Sequence, residues 1–499
     1  MPSVPKDAAA VILLRPNTDP NNPEVFWVKR SQKLSFLGGF HAFPGGQLDS
    51  TDSEAKVENA ANAETAAMIS CAARELFEEL GVLAARGAQT LTAGQRVSLL
   101  DDLTSGRMSW AGLLEHYDLR LDARDFTFVG RWVTPPFSAR RFDTWFFLVD
   151  CPLKQEPNVV QGELERGEWI AAREAYGRWE RSEVLAVPPI LHGLKTLGKG
   201  ITADLISRFL SKPQAHSEPV RKIEFRPNYI CFPVRTPTRP PATHTNCYLI
   251  YTSKSLLVID PGSPYEDEQL ALQTAVEDLL SAGRKLHSIL LTHLHPDHVG
   301  GVNALREHFG SIRVTTHAET ATALRESISI DDLLSDGDVI ELEGEPAMAL
   351  RVLHTPGHAR GHLCLHDDRT GTLISGDNIV GLGSVLIDPP EGNMRDYLTS
   401  LERIRSIPNL SVIFGGHGPA MANPYEKIHE YINHRLERER NILTAVRNGA
   451  GSPSQIVASV YTDVSPKAHA MAERAVLAHL EKLEADGKVE HDGDRWTAA

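Results

Sequence analysis

A multi-domain α/β protein is what this sequence of 499 residues predicts, and three observations predict it. The length exceeds what one hydrophobic core serves and suggests about three domains. The chain changes texture twice, after residue 212 and again near residue 425. Its middle alternates short apolar strands with helical stretches, the pattern of layered α/β folds. Domains are therefore expected at 1–212, 213–424 and 425–499.

The first domain opens with strand patterns at 8–15 and 24–30, followed by the Gly-rich FLGGFHAFPGGQLD (36–49). A helical pattern covers 60–80, aromatic-rich strands follow at 126–133 and 142–150, and a proline-spaced helical tail spans 187–210. The polar SKPQAHSEP (211–219) reads as a linker. The second domain starts with two strand patterns, NCYLIY (246–251) and SLLVIDPG (255–262). Helices at 267–282 and 300–309 then alternate with strands at 287–292, 312–316, 349–353, 363–366, 372–375 and 411–414. The third segment is largely helical, at 425–447, 452–461 and 468–487, and ends in a short hairpin at 488–499. Helices followed by a small β-wing make a winged-helix shape. No repeat or low-complexity tract interrupts these patterns.

Bulk composition narrows the class. Hydrophobic residues at 41% and charged residues at 23% place the chain among globular proteins rather than disordered ones. The longest apolar runs, AAAVILL (8–14) and SILLT (288–292), are strand-sized and too short to span a membrane. MPSVPKDAAAVILLRP lacks a basic segment followed by a small-residue cleavage site, so no export signal is read. The five cysteines (71, 151, 231, 247, 364) form no CxxC pair and are read as free thiols. A cytoplasmic location is the expectation. The net charge of −14 argues against a general binder of polyanions.

The strongest chemical signal is THLHPDHVGG (292–301), which sets His293, His295, Asp297 and His298 directly after an apolar strand. Imidazole and carboxylate are the usual ligands of zinc and related divalent ions. His358 in TPGH, Asp377 in SGDN and His417 in GGHG each also follow a short strand, where sites of layered α/β folds form. His287, His317, His362 and His366 are read as packing or capping residues, with His362 the best candidate to support a ligand.

This set resembles the metallo-β-lactamase superfamily across roughly residues 225–422. The resemblance implies an αββα sandwich with two metal ions, Zn²⁺ or alternatively Mn²⁺ or Fe²⁺. By that match His293, His295 and His358 hold the first ion, Asp297, His298 and His417 the second, and Asp377 bridges them. Two such ions generate hydroxide at neutral pH and polarise an electrophile, and Asp297 is placed to handle protons. Asp377 stands where antibiotic-hydrolysing members with a cysteine ligand carry that cysteine, which argues against β-lactam hydrolysis. The helical tail resembles that of the β-lactamase-like protein 2 group, whose characterised members include single-stranded endoribonucleases. Residues 426–499 hold ten Lys/Arg against twelve Asp/Glu, which argues against nucleic-acid reading. The tail is expected to shape the substrate cleft or to support homodimer contacts.

A second signal is CAARELFEELGV (71–82). Glu75, Glu78 and Glu79 sit at i, i+3 and i+4 of one helix face, a set of hard oxygen ligands suited to Mg²⁺ or Mn²⁺. With FPGG at 43–46, the stretch resembles the Nudix box, which clamps a diphosphate and activates water, with Glu75 and Glu79 as catalytic candidates and Arg74 holding a carboxylate. The usual spacing is G-x5-E-x7-R-E, yet Gly45 to Arg74 spans 29 residues rather than 14. Counted from Gly45, Thr51 falls where the first glutamate is expected, and counting back from Arg74 reaches Ala66. Glu64, Glu54 and Asp52 stay open as stand-ins. An insertion of this kind, with RWVTPPFSARRFDTWFFLV (131–149), resembles a long-box branch that includes coenzyme A diphosphatases, and covers roughly residues 5–205. Arg140 and Arg141 are candidates for phosphate contact or for structural pairing.

The expected function is a hydrolase with two metal sites: an ester-like bond, thioester favoured, at the first, and a diphosphate linkage at the second. The partner is then a small molecule, possibly a coenzyme A or nucleoside diphosphate derivative. Two alternatives stay open: a single-stranded ribonuclease using the same seven ligands, and a degenerate Nudix ligand sensor with the winged helix as an interaction module.

Overall fold

The computed structural model describes residues 3–34, 36–310, 312–462, 465–493 and 495–499. Asp494 of the expected hairpin, and Met1 and Pro2 of the N-terminal stretch, lie outside the described residues. The chain divides into two compact units, Met1–Ile230 and Cys231–Ala499. No helix among the described residues is long and apolar enough to cross a membrane. All five cysteines are buried and free.

In the first unit, strand Lys6–Leu14 is the centre of a mixed sheet. It pairs in parallel with Phe142–Asp150 and antiparallel with Glu24–Arg30 and Gly45–Gln47. Seven of its nine residues are buried, which is why it reads as a continuous apolar run rather than an alternating one. Helix Ala63–Leu80 lays Leu76, Phe77 and Leu80 into the core beneath this strand. It is capped by the Asn62 side chain at its start and by Gly81 in the left-handed conformation at its end. Helices Ala93–Thr104 and Trp110–His116, strand Leu164–Ala171 and helix Ala172–Glu180 are additions to the elements expected from sequence. The stretch 211–219 is packed rather than free. Ala215 is fully buried, and the Ser217 N–H donates to Arg131 O at 2.9 Å. Its small apolar residue explains the departure from a linker.

Among the described residues the second unit contains two large sheets and a terminal hairpin. One runs through Tyr229–Arg235, His244–Tyr251, Ser255–Ile259, Lys285–Leu290, Val314–His317 and Asp332–Leu334. The other runs Val339–Leu342, Met348–His354, Leu363–Asp367, Thr372–Gly376 and Val412–Gly415. Their inner faces meet where the Tyr248 ring stacks on Phe414 at 5.7 Å, and the Tyr248 hydroxyl donates to Gly415 O at 2.7 Å. Helix Met394–Arg405 packs Tyr397, Leu401 and Ile404 against the second sheet. Helix Pro424–Arg447 continues the same core through Ile428, Tyr431 and Ile432. Its far half joins helices Pro453–Val460 and His469–Ala485 and the hairpin Val489–Asp492/Arg495–Ala498 around Ile442, Leu480 and Trp496. The multi-domain α/β architecture expected from sequence is the one observed.

Candidate metal centre and acidic cluster

Five strands of the second unit end at one place, and each end carries a polar residue aimed into it. Asp260 follows Ser255–Ile259, and His293 follows Lys285–Leu290 after a short turn. His358, Asp377 and His417 follow Met348–His354, Thr372–Gly376 and Val412–Gly415. His295, Asp297 and His298 come from the turn and short helix Pro296–Val299. All seven sequence-predicted ligands are thereby brought together. His295 Nδ1 lies 3.0 Å from both His293 Nε2 and His358 Nε2. His298 Nε2 is 3.3 Å from Asp377 Oδ1, and His417 Nε2 is 3.2 Å from Asp377 Oδ2 and 3.5 Å from Asp297 Oδ2. The Asp377 carboxylate also reaches 3.8 Å from His358 Nε2, so it touches both histidine groups.

The far side of most of these rings is anchored, which fixes where the near nitrogen points. His358 Nδ1 meets Leu386 O at 2.8 Å, and His417 Nδ1 meets His244 O at 2.8 Å. His298 Nδ1 meets Asp260 Oδ2 at 2.8 Å, and His293 Nδ1 meets Thr292 Oγ1 at 2.9 Å. The Thr292 hydroxyl and N–H both donate to Asp260, at 2.6 and 2.8 Å. Asp260 is thus a residue that sequence reading missed. Its signal was present in DPG, which closes a strand at the same sheet edge as the other ligands. His362 supports Asp377, whose N–H donates to His362 Nε2 at 3.2 Å. His287 and His366 instead pair with Ser288 and Asp368, and His317 stacks on His354.

The electrostatics suit a divalent ion. Burial and the neighbouring imidazoles hold His293 well below its ordinary pKa and bring His295 down to about 3, favouring the neutral form that ligates. Burial also pulls His298 down, but Asp377, Asp260 and Asp297 outweigh it and hold it well above. Asp377 shows the converse, with His417 and His298 overcoming burial to keep it ionised. The three aspartates thus call for positive charge among them. His298 Nε2 and Asp377 Oδ1 are buried 3.3 Å apart in a geometry that makes no hydrogen bond, and neither has another hydrogen-bond partner among the described residues. Such orphaned atoms are rare in folded proteins, and an ion contacting both satisfies them. Gly416 makes the approach feasible, since a Cβ there would strike the Asp377 carboxylate. Replacing Asp260 by asparagine is expected to weaken metal binding by about 10- to 100-fold, read by competition against a chromogenic chelator.

In the first unit the acidic helix face meets the glycines of FPGG. Arg74 is the hub. Its Nε and Nη2 donate to Asp52 Oδ1 and Oδ2, both at 2.8 Å, and its Nη1 donates to Glu75 at 2.9 Å and Glu78 at 3.0 Å. Asp52 is fully buried, and is the carboxylate that Arg74 holds. Counting from Gly46 rather than Gly45 puts residue 52 in the glutamate position of G-x5-E, a register that counting from Gly45 missed. Glu64 instead lies 3.9 Å from Arg131. The Gly45 N–H donates to Glu79 Oε2 at 2.9 Å, and Gly46 leaves room for the Glu75 carboxylate, which a Cβ would meet at 2.5 Å. Burial raises Glu75 to about 7 and Glu79 to about 8, with carboxylate neighbours adding to it. Glu75 Oε2, Glu78 Oε1 and Glu79 Oε1 accept no hydrogen bond among the described residues. They are the hard oxygens a magnesium-type cation takes. Arg141 is structural, its guanidinium donating to Thr134 O and Ser3 O, whereas Arg140 is exposed.

The chain is similar to several known proteins. Residues 240–417 match the metallo-beta-lactamase superfamily, and residues 452–496 match the beta-lactamase associated winged helix domain. A beta-lactamase-like protein 2 homolog of Caenorhabditis elegans is 31% identical over 248 residues, covering 50% of this chain and 81% of that protein. An atrochrysone carboxyl ACP thioesterase of Aspergillus chevalieri is 31% identical over 259 residues, covering 49% of this chain and 77% of that protein. Among solved structures, a NUDIX hydrolase from Alicyclobacillus acidocaldarius aligns at 31% identity and a TM-score of 0.35, over 41% of this chain and 96% of that one.

Proposed function

The chain belongs to the metallo-β-lactamase superfamily, and from that premise we propose that it is a hydrolase of ester-like bonds with a thioester as the favoured substrate. It is an enzyme of this fold and not a true β-lactamase. The observation that carries the proposal is the gathering of five histidines and Asp297 around Asp377, with His298, His417 and His358 within 4 Å of its carboxylate, beside a cavity. His293, His295 and His358 would hold one divalent ion and Asp297, His298 and His417 another, with Asp377 between them; bound there, the ions acidify water and polarise the electrophile. Asp297 lines the cavity and orients the attacking water. The water oxygen bonds to the acyl carbon, the C–S bond breaks, and the proton released passes through Asp297 to the leaving thiolate. A carboxylic acid and a thiol result.

The same reading includes a second site in a Nudix-type domain spanning 1–212, of the long-box, coenzyme A diphosphatase-like kind. Glu75, Glu78 and Glu79 would hold Mg²⁺ or Mn²⁺ there. Support comes from the Asp52–Arg74 pair and the three free carboxylate oxygens. An acyl-coenzyme A carries both a thioester and a diphosphate, which makes the fusion chemically coherent.

The test follows thiol release from octanoyl-coenzyme A by the full chain with Zn²⁺ or Mn²⁺, alongside the H293A/H295A variant. Release that the double variant loses supports the proposal; no release, with the two proteins indistinguishable, overturns it. Thermal melting supplies a separate readout. An ion at a hundred times its Kd adds about 2.7 kcal/mol of stability, so metal is expected to raise the melting temperature of the wild type by more than that of H293A/H295A, which keeps the ligands of the second ion.

A further inference from the structure

The cavity beside the metal centre, about 580 Å³ in volume, is lined by the metal-centre residues, by the C-terminal helices and by the loops at 237–242 and 380–386, the first of which carries Arg239. His295, Asp297, His358, Asp377 and His417 supply the reactive groups, and the C-terminal helices supply a wall. That wall has an apolar part, with Met471, Ala472 and Ala475 from helix His469–Ala485. It also has a cationic part, with Arg435 and Arg438 from helix Pro424–Arg447.

The two arginines are held by neutral partners. Arg438 Nη1 donates to Val460 O at 2.9 Å, and its guanidinium lies 4.0 Å from the centre of the Tyr461 ring. Arg435 is only 6% exposed; it donates to Val385 O, lies over the Tyr397 ring at 5.5 Å, and its Nε is buried without a partner. Neither forms an ion pair with a carboxylate among the described residues, and Arg239, on the same cavity, does not either. Unneutralised guanidinia sharing a partly desolvated wall favour an anion, and a planar fork suits phosphate oxygens. Aromatic and carbonyl contacts pre-set the Arg438 fork, which reduces the ordering needed on binding.

We propose that Arg438, with Arg435 and Arg239 around it, forms a phosphate-recognising subsite, so that the substrate is an acyl thioester whose thiol portion bears a phosphate. This rests on the thioester reading of the metal centre and deepens it. The apolar part of the wall receives the acyl or pantetheine chain, and the helical tail acts as half of the substrate pocket rather than as a nucleic-acid reader. Coenzyme A and a protein-borne phosphopantetheine share this phosphate chemistry.

The test uses the full chain and two matched probes, S-octanoyl 4′-phosphopantetheine and S-octanoyl pantetheine, which differ only in the phosphate and carry no diphosphate for the first unit. In R438Q the ratio of kcat/KM between them is expected to fall about tenfold or more, through KM, with R438K recovering only part of it. Binding of 4′-phosphopantetheine itself, followed by calorimetry, is expected to weaken about tenfold in R438Q and to weaken with salt. Octanoyl-coenzyme A and an octanoylated carrier protein, run in parallel, identify which source the site prefers. Equal slowing of both probes, or an unchanged ratio and unchanged binding, overturns the proposal. If neither probe is hydrolysed but R438Q still weakens phosphopantetheine binding, the thioester reading fails and the phosphate subsite stands. Cleavage of single-stranded RNA that depends on Arg438, with no effect on either probe, overturns it in favour of a polynucleotide.

Discussion

Replacing Asp377 by alanine is expected to lower kcat/KM for thioester hydrolysis about a thousandfold, the several kcal/mol of transition-state stabilisation that a metal centre supplies. Asp377 is singled out because its carboxylate reaches both histidine groups, at 3.3 Å from His298 Nε2 and 3.2 Å from His417 Nε2 in one and 3.8 Å from His358 Nε2 in the other. Removing it takes away the carboxylate shared by His298 and His417, the largest influence favouring the charged form of each, and leaves the carboxylates of Asp260 and Asp297 beside them. Metal content per chain, measured by plasma mass spectrometry, should fall together with activity. The overall fold should persist, because the backbone around Asp377 is held by other bonds, among them the Gly416 N–H to Gly376 O at 2.7 Å. Full activity in D377A with metal retained would remove Asp377 from the mechanism.

The second large effect belongs to the first unit. Asp52→Ala is expected to destabilise it by about 3 kcal/mol, the lower end of the cost of breaking a buried ion pair. The lower end applies because Arg74 keeps Glu75 and Glu78 as partners after Asp52 is gone. Arg74 is 8% exposed and Asp52 fully buried, so water does not replace the lost bonds. Denaturant unfolding followed at the tryptophans of the first unit reads the change, and Asp52→Glu, which keeps the carboxylate, should restore part of it. Diphosphate hydrolysis should fall in D52A as well, since Arg74 Nη1 orients Glu75 and Glu78. A D52A protein as stable as wild type would show that Arg74 is not held by this pair.

Much of this protein was legible before its fold. Ligand-bearing turns after short apolar runs stood out because a metal needs several donors, and a strand end is where a chain presents them. The strands at 255–259 and 372–376 read clearly because burial on both faces demands continuous apolar runs. Helix Ala63–Leu80 read clearly because its caps and its apolar period agree. Asp260 did not stand out: a lone aspartate in DPG looks like a turn residue until His298 and Thr292 are seen to close on it. Asp52 is one of three acids in the sequence that could meet Arg74, because an insertion separates them and only folding closes that gap.

The sequence by itself determined the chemistry available, namely which donors exist, on which local elements, and that they suit divalent ions. Ligand identity and local periodicity are properties of neighbouring residues. Tertiary structure decided what those donors meet: that Asp260 orients His298, that Asp52 joins Glu75 and Glu78 on Arg74, and that Arg438 shares a cavity with His295. Each of these joins residues tens to more than a hundred positions apart, and only the packed core sets that distance.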